Sequence, residues 1–251
     1  MPNDRNIYLY WVGKEYKLIS ILRDLIYLHS TNGIGYKVNL ITEKNIKEYI
    51  KDIPDYFTSL KPAHQADFVR VHVICDYGGI WLDSDTLVID KLDSLFDYLE
   101  NQSGFFIKEN NTILWNGIFG SKKQTPLMMT WKNNLMNILN HKKNNIQWTE
   151  VGCRMLQSMY NKNPSLYTEY KVFEGLDNMY PFNWNKCVSE FIEKPYDNYK
   201  NIVREYQPLI VLVNSVYKKL EDKTEKEILE GNMPINFFIN KSYENNRKII
   251  Y

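Results

Sequence analysis

Short apolar runs alternate with segments of helical periodicity through the first ninety residues, and this alternation is the feature that most restricts the fold. Strands are predicted at residues 6–12, 36–41 and 80–82, and helices at residues 18–28, 43–50 and 63–77. Strands that alternate with helices form βαβ units. We therefore predict an α/β fold with a single Rossmann-like, mainly parallel sheet flanked by helices, and a ligand at the carboxyl ends of the strands.

The rest of the chain shows weaker patterns. Strands are predicted at residues 105–107 and 113–119, and helices at residues 127–139 and 148–160. The sequence contains no repeat, no low-complexity block and no Pro/Gly/Ser-rich linker, so we predict one domain over residues 1–251.

Composition excludes several classes of protein. The formal net charge is +1, which gives no electrostatic reason to expect a nucleic acid partner. No apolar run approaches the roughly 20 residues that a transmembrane helix needs, and the N-terminus lacks the pattern of a signal peptide. The expectation is a cytoplasmic protein, with peripheral attachment to a membrane left open. Cys75, Cys153 and Cys187 are too far apart to suggest zinc or a disulfide framework.

Residues 62–85 carry the most informative pattern. Pro62 suits the first position of a helix and Gly78 its end, and Asp67 and Arg70 share one face of that helix. Gly78 and Gly79 permit a tight turn into an apolar strand that delivers Asp83 and Asp85, which an extended chain would point to the same side. Two carboxylates at a strand end suit a hard divalent cation, Mn²⁺ or Mg²⁺, that bridges a diphosphate.

Each feature also has a purely structural interpretation. Asp-x-Asp triplets are common in turns because Asp is favoured where strands end. Asp67 and Arg70 could form an exposed ion pair worth under about 1 kcal/mol. The combination of a capped helix, two glycines, an apolar strand and two carboxylates favours a functional site.

This combination resembles the DXD glycosyltransferases of family 32, which include yeast initiating mannosyltransferases, capsular polysaccharide transferases and, more remotely, the glucosylating domains of large clostridial toxins. The family pattern is Ser-Asp-x-x-Arg followed by Gly-Gly-x-Tyr-x-Asp-x-Asp, so Ala66 and Trp81 are departures from it. The resemblance implies a GT-A-like fold and a metal-dependent transfer of a hexose from a nucleoside diphosphate sugar to a hydroxyl acceptor, with retention of configuration. The acceptor would be a glycan, a lipid-linked sugar or a protein.

The resemblance also implies roles for the motif. Asp85 would chiefly hold the metal, Asp83 would reach the ribose and the metal, and Asp67 and Arg70 would hold hydroxyl groups of the donor sugar. Trp81 is expected beside the donor. Residues 1–90 would be the nucleotide-binding half, and residues 91–251 the half that contacts the acceptor and closes over the donor.

Matches outside the motif are shorter. Trp11-Val12-Gly13 is similar to the family's Trp-Ile-Gly, where the Trp ring stacks on the base, although a core aromatic would fit equally. Asn116 resembles an Asn beside the donor sugar, or it belongs to an ordinary turn. Residues 150–153 match the family's Thr-Gly-Pro segment poorly.

Near the C-terminus, residues 214–217 resemble the family's Asn-Ser-x-Trp, which closes over the diphosphate. Tyr217 stands in place of the Trp, and Val211 stands where many members have a His. Asn214 and Ser215 are therefore expected to complete the metal and phosphate site. The alternative is a buried strand followed by a helix that Asn214 caps.

Two other functions are compatible with parts of the pattern. Residues 83–86 resemble the Asp-x-Asp-x-Thr nucleophile motif of haloacid-dehalogenase-like phosphatases, but the Thr follows one position too early and the motif lies far from the first strand. A non-catalytic protein that binds sugar nucleotides or glycans through a decayed site would explain Val211.

Overall fold

A computed structural model describes residues 5–31, 35–109, 113–143, 145–174, 188–193, 208–212 and 220–247. The strands are β1 (Asn6–Tyr10), β2 (Lys37–Ile41), β3 (Gly79–Leu82), β4 (Thr86–Val88), β5 (Gly104–Glu109), β6 (Ile113–Ser121), β7 (Tyr170–Glu174) and β8 (Leu209–Val211). The helices are α1 (Lys17–Thr31), α2 (Ile46–Tyr49), α3 (Pro62–Tyr77), α4 (Asp93–Asn101), α5 (Pro126–Lys142), α6 (Cys153–Lys162), α7 (Glu225–Leu229) and α8 (Pro234–Arg247). Short 3-10 helices cover Phe57–Ser59 and Pro164–Tyr167, and a short π-helix covers Val188–Glu193.

The chain forms two compact units that are interleaved along the sequence. The first comprises Met1–Val12, Lys37–Leu82 and Ser94–Glu174. The second comprises Gly13–Tyr36, Asp83–Asp93 and Gly175–Tyr251.

The first unit contains a six-stranded sheet in the order β2-β1-β3-β6-β5-β7. β1 pairs in parallel with β2 and β3, and β5 pairs in parallel with β7. β6 runs antiparallel to both of its neighbours, so it alone in this sheet is reversed. The predicted mainly parallel α/β fold is confirmed.

Both faces of this sheet are buried. One face, which includes Tyr8, Trp81 and Phe106, belongs to the core cluster that α3, α5 and α6 complete. On the other face Ile80 and Phe105 are buried, and Leu99 of α4 lies against Gly120. Burial on both sides explains why the strands are continuous apolar runs in the sequence.

Helix α3 begins and ends as its sequence predicts. Pro62 occupies the first turn, and Gly78 ends the helix with a positive φ of 72°. Gly79 has a φ of 118°, and a Cβ atom there would lie 2.6 Å from the carbonyl oxygen of Asn6. Only glycine therefore allows β3 to start this close to β1.

The second unit is built around α1, which packs against β4, α7 and α8. β4 pairs antiparallel with β8, and this two-stranded sheet places Thr86 opposite Val211. Thr224 and Glu227 cap the start of α7 reciprocally. Within the described ranges, no helix is both long and apolar enough to cross a bilayer.

Several predicted boundaries differ from the observed ones. The first strand ends at Tyr10, and the helix predicted at residues 43–50 is the single turn α2. The helix predicted from residue 148 begins at Cys153, because residues 148–152 form turns. β4, β7, α7 and α8 were not predicted, since short elements and Asn-rich helices give little periodicity. α4 was also missed, although its buried Leu95, Phe96 and Leu99 recur at helical spacing.

Candidate active site

Asp67 and Arg70 form a buried ion pair on α3. Both residues are 5% exposed, and the Arg70 Nε lies 3.4 Å from the Asp67 Oδ1. α3 is buried on nearly every side, so Asp67 and Arg70, which lie one turn apart on it, are both shielded from solvent. The interpretation as an exposed surface pair is wrong. A buried pair of this kind requires further hydrogen bonds to offset the loss of hydration.

Asn116 of β6 supplies these bonds. Its Nδ2 donates to the Asp67 Oδ1 at 2.7 Å, and its backbone carbonyl accepts a bond from Nη1 of Arg70. The register between β5 and β6 jumps at this point, because Phe106 pairs with Phe119 and Ile107 with Trp115. The resulting bulge contains Asn116, and bulges of this kind redirect side chains beside functional sites.

Trp81 lies behind this cluster. It is 1% exposed, and the guanidinium carbon of Arg70 stands over its ring, 5.1 Å from the ring centre. A cation over an aromatic face is attracted by the ring quadrupole. Trp81, expected beside the donor, is thus placed to hold Arg70.

Two residues that the sequence did not single out complete the cluster. Gly152 precedes α6, and a Cβ atom on it would lie 2.5 Å from the Asn116 Nδ2 and 3.1 Å from the Asp67 Oδ1. Cys153 begins α6, and its thiol donates to the Asn116 Oδ1 over 3.0 Å. The poorly matching segment at residues 150–153 was the only signal for them.

Trp11 and Val12 follow β1 directly and are both half-buried. The Trp11 backbone N–H donates to the Ile41 carbonyl at 3.0 Å, which continues the pairing with β2 one residue past the end of β1. Trp11 therefore lies at the carboxyl end of β1, where ligands of open α/β sheets bind. Its stacking role stays a prediction.

Asp83 and Asp85 belong to the second unit, where they lie on a β-turn. The Thr86 N–H donates to the Asp83 carbonyl at 3.0 Å, so the chain turns through Ser84 and Asp85. The expectation of an extended chain through both aspartates is therefore wrong. Both are half-buried, whereas Ser84 and Thr86 are buried.

Strand β8 meets this turn. The Leu212 N–H donates to the Asp85 carbonyl at 3.2 Å, directly after the pair formed by Thr86 and Val211. The predicted site residues Asn214, Ser215 and Tyr217 lie outside the described residues.

Tyr16, also in the second unit, was not predicted. Burial, together with the Asp85 and Glu221 carboxylates, raises the pKa of Tyr16 well above its usual range. Tyr16 therefore stays a neutral phenol at physiological pH.

The chemistry of Asp83 and Asp85 suits a hard divalent cation. Carboxylate oxygens are the ligands that Mg²⁺ and Mn²⁺ prefer, and a cation that bridges a diphosphate needs few protein ligands. Within the described ranges, no cluster of three or more His, Cys, Asp or Glu residues could hold a metal by itself. A site with two carboxylates would thus depend on the nucleotide for much of its coordination.

The fold is that of the GT-A glycosyltransferases. The apo form of the glycosyltransferase GlyE of Streptococcus pneumoniae TIGR4 superposes with a TM-score of 0.53 at 12% identity, over 98% of this chain and 64% of GlyE. The bifunctional glycosyltransferase WbbM superposes with a TM-score of 0.52 at 14% identity, over 100% of this chain and 52% of WbbM. At these identities the likeness concerns the fold alone.

The chain belongs to the capsular polysaccharide synthesis protein family, whose model matches residues 1–228. An uncharacterized protein of Arabidopsis thaliana, At4g19900, is 27% identical in an alignment of 105 residues that covers 38% of this chain and 16% of that protein. This chain therefore matches only a small part of that relative.

The predicted glycosyltransferase fold is confirmed, whereas the single domain over residues 1–251 stays a prediction. The phosphatase alternative is not supported, since Asp83 follows β3 rather than the first strand.

Proposed function

We propose that this chain transfers a hexose from a nucleoside diphosphate sugar to a hydroxyl acceptor in polysaccharide synthesis, as the DXD glycosyltransferases of family 32 do. The main support is the buried cluster of Asp67, Arg70 and Asn116 in a member of the capsular polysaccharide synthesis family. The acceptor would be a glycan, a lipid-linked sugar or a protein hydroxyl.

The cluster has the chemistry to hold a sugar. A carboxylate accepts hydrogen bonds from hydroxyl groups, whereas a guanidinium donates several in a fixed plane. Arg70 is held from three sides, by Asp67, by the Trp81 ring and by the carbonyls of Asn116 and Ala66. Such fixed groups bind hexose hydroxyls without first having to be ordered, which favours one orientation of the donor.

We assign the nucleotide end of the donor to residues that the resemblance identifies. Trp11 would stack on the base, Asp83 would reach the ribose, and Asp83 and Asp85 would hold the cation with Asn214 and Ser215. A divalent cation bound there would neutralise the negative charge that develops on the diphosphate as it leaves. Tyr217 would close over the diphosphate.

We propose transfer with retention, by attack of the acceptor on the face from which the diphosphate leaves. The bond between the anomeric carbon and the diphosphate oxygen breaks, and the acceptor oxygen forms the new glycosidic bond. The acceptor proton passes to the departing phosphate oxygen. Asp67, Arg70 and Asn116 would hold the sugar while this exchange takes place.

A screen of sugar nucleotides with Mn²⁺ tests the function through release of the nucleoside diphosphate, since hydrolysis needs no acceptor. We expect release with one or a few donors, and a loss of about a thousandfold or more in Asp85→Asn or in chelator. Asp90→Asn is the matched control, because Asp90 is an exposed carboxylate that follows β4. No release with any donor would refute the proposal, and full activity in chelator would refute the role of the metal.

A further inference from the structure

The start of α6 is fixed firmly beside the candidate sugar site. The Arg154 N–H donates to the Thr149 carbonyl at 3.1 Å, and the Trp131 indole N–H donates to the Val151 carbonyl at 3.2 Å. The backbone on both sides of Gly152 and Cys153 is thereby anchored. These two residues can act on the site as rigid neighbours.

Asn116 is held at both ends of its carboxamide. Its Nδ2 donates to Asp67 at 2.7 Å, and its Oδ1 accepts from the Cys153 thiol at 3.0 Å. Gly152 leaves the space in which the amide reaches Asp67, because a Cβ atom there would lie 2.5 Å from Nδ2. The Asp67 carboxylate can only accept, so it decides which end of the Asn116 amide faces it. The Cys153 thiol restrains the other end, the carbonyl oxygen.

Cys153 stands where the family 32 pattern often has a proline, whose side chain has no hydrogen-bond donor. The contact between Cys153 and Asn116 is therefore a feature of this chain rather than of that pattern. α6 also carries Ser158, which is exposed to solvent.

We propose that Cys153 is a positioning residue, which holds the Asn116 carboxamide against Asp67 and so fixes the groups that bind the donor sugar. The effect on sugar binding depends on the proposed function, whereas the effect on Asn116 does not. A thiol is a weak donor. We therefore expect a several-fold change in donor affinity rather than a loss of binding.

Three variants test this proposal: Cys153→Ala removes the donor, Cys153→Ser keeps one, and Ser158→Ala is the control on the exposed side of the same helix. Calorimetry with the sugar nucleotide identified in the screen, in Mn²⁺, should show about three- to tenfold weaker binding for Cys153→Ala. Cys153→Ser should bind within about twofold of the wild type. The nucleoside diphosphate without its sugar should bind all variants alike.

The second readout needs no ligand. In the free protein, NMR should show the side-chain amide protons of Asn116 exchanging several times faster in Cys153→Ala than in the wild type, with Cys153→Ser restoring protection. Unchanged exchange in Cys153→Ala, or equal effects of Ala and Ser, would overturn the proposal. A wild-type protein that binds no sugar nucleotide would instead refute the proposed function, and the exchange measurement would still decide the role of Cys153.

Discussion

Replacing Asp67 by Asn should destabilise the protein far more than a typical change of a surface charge. The substitution keeps the size of the side chain and leaves an oxygen that can still accept from Asn116. It removes the negative charge 3.4 Å from the Arg70 Nε. Arg70 is 5% exposed and cannot regain its hydration without opening the core.

The expected cost follows from these contacts. Leaving one charge of a buried pair without its partner usually costs about 3–5 kcal/mol. Arg70 keeps the Trp81 ring and two backbone carbonyl acceptors, which offset part of this loss. We therefore expect Asp67→Asn to lower the free energy of unfolding by about 3 kcal/mol.

Urea unfolding of Asp67→Asn, Arg70→Gln and the double variant forms a double-mutant cycle. The double variant should be more stable than the sum of the single changes predicts, by about 2 kcal/mol. The control is Asp76→Asn. Asp76 also lies on α3, and it forms an ion pair with Lys132 of α5. That pair is half-exposed, with side-chain exposures of 27% and 38%, so its loss should cost under about 1 kcal/mol. Equal losses at Asp67 and Asp76, or no coupling in the cycle, would refute the reasoning.

Three further predictions concern Trp11, His72 and Thr86. Trp11→Ala should weaken nucleoside diphosphate binding about tenfold or more if the ring stacks on the base, and unchanged binding by calorimetry in a folded variant would assign Trp11 to the core. Burial lowers the pKa of His72 from 6.5 to about 4, so as the pH falls below 6.5 the unfolded chain takes up a proton that the folded chain does not. His72 therefore lowers the free energy of unfolding only below pH 6.5, by about 3 kcal/mol towards pH 4. In His72→Gln, the urea midpoint should depend less on pH over this range. Among the described residues, the buried Thr86 hydroxyl has no hydrogen-bond partner, so Thr86→Val should raise the unfolding free energy by about 1–2 kcal/mol. Thr125→Val, which removes the cap of α5, should lower it.

The sequence predicted the central βαβ elements because their signals are local. Pro62, Gly78 and Gly79 mark the limits of α3 whatever surrounds it. The reversed direction of β6 has no such signal, since a strand buried on both faces is the same apolar run in either direction. β4 was missed because it has three residues and its partner β8 lies more than a hundred positions away.

The residues of the candidate site also fall into those that local motifs predict and those that they do not. Asp67, Arg70 and Asn116 could be named from short motifs, but their mutual contacts depend on the bulge in β6. Gly152 and Cys153 gave almost no signal, because their importance arises only where three distant parts of the chain meet. The turn at Asp83 was missed because an Asp-x-Asp triplet fits a strand end and a turn equally well.

The position of the charged pair inside α3 itself favours a role in binding. A buried ion pair is often no better for stability than apolar residues of the same size, since the lost hydration offsets the attraction between the charges. The rest of α3 shows that this helix accepts apolar residues readily, because Phe68, Val69 and Val71 beside the pair are fully buried. Asp67 and Arg70, together with the glycine and the bulge that surround them, are therefore poorly explained as a means of stabilising the core. They are well explained as groups held ready for a polar ligand, because the same burial that makes them costly also fixes their positions.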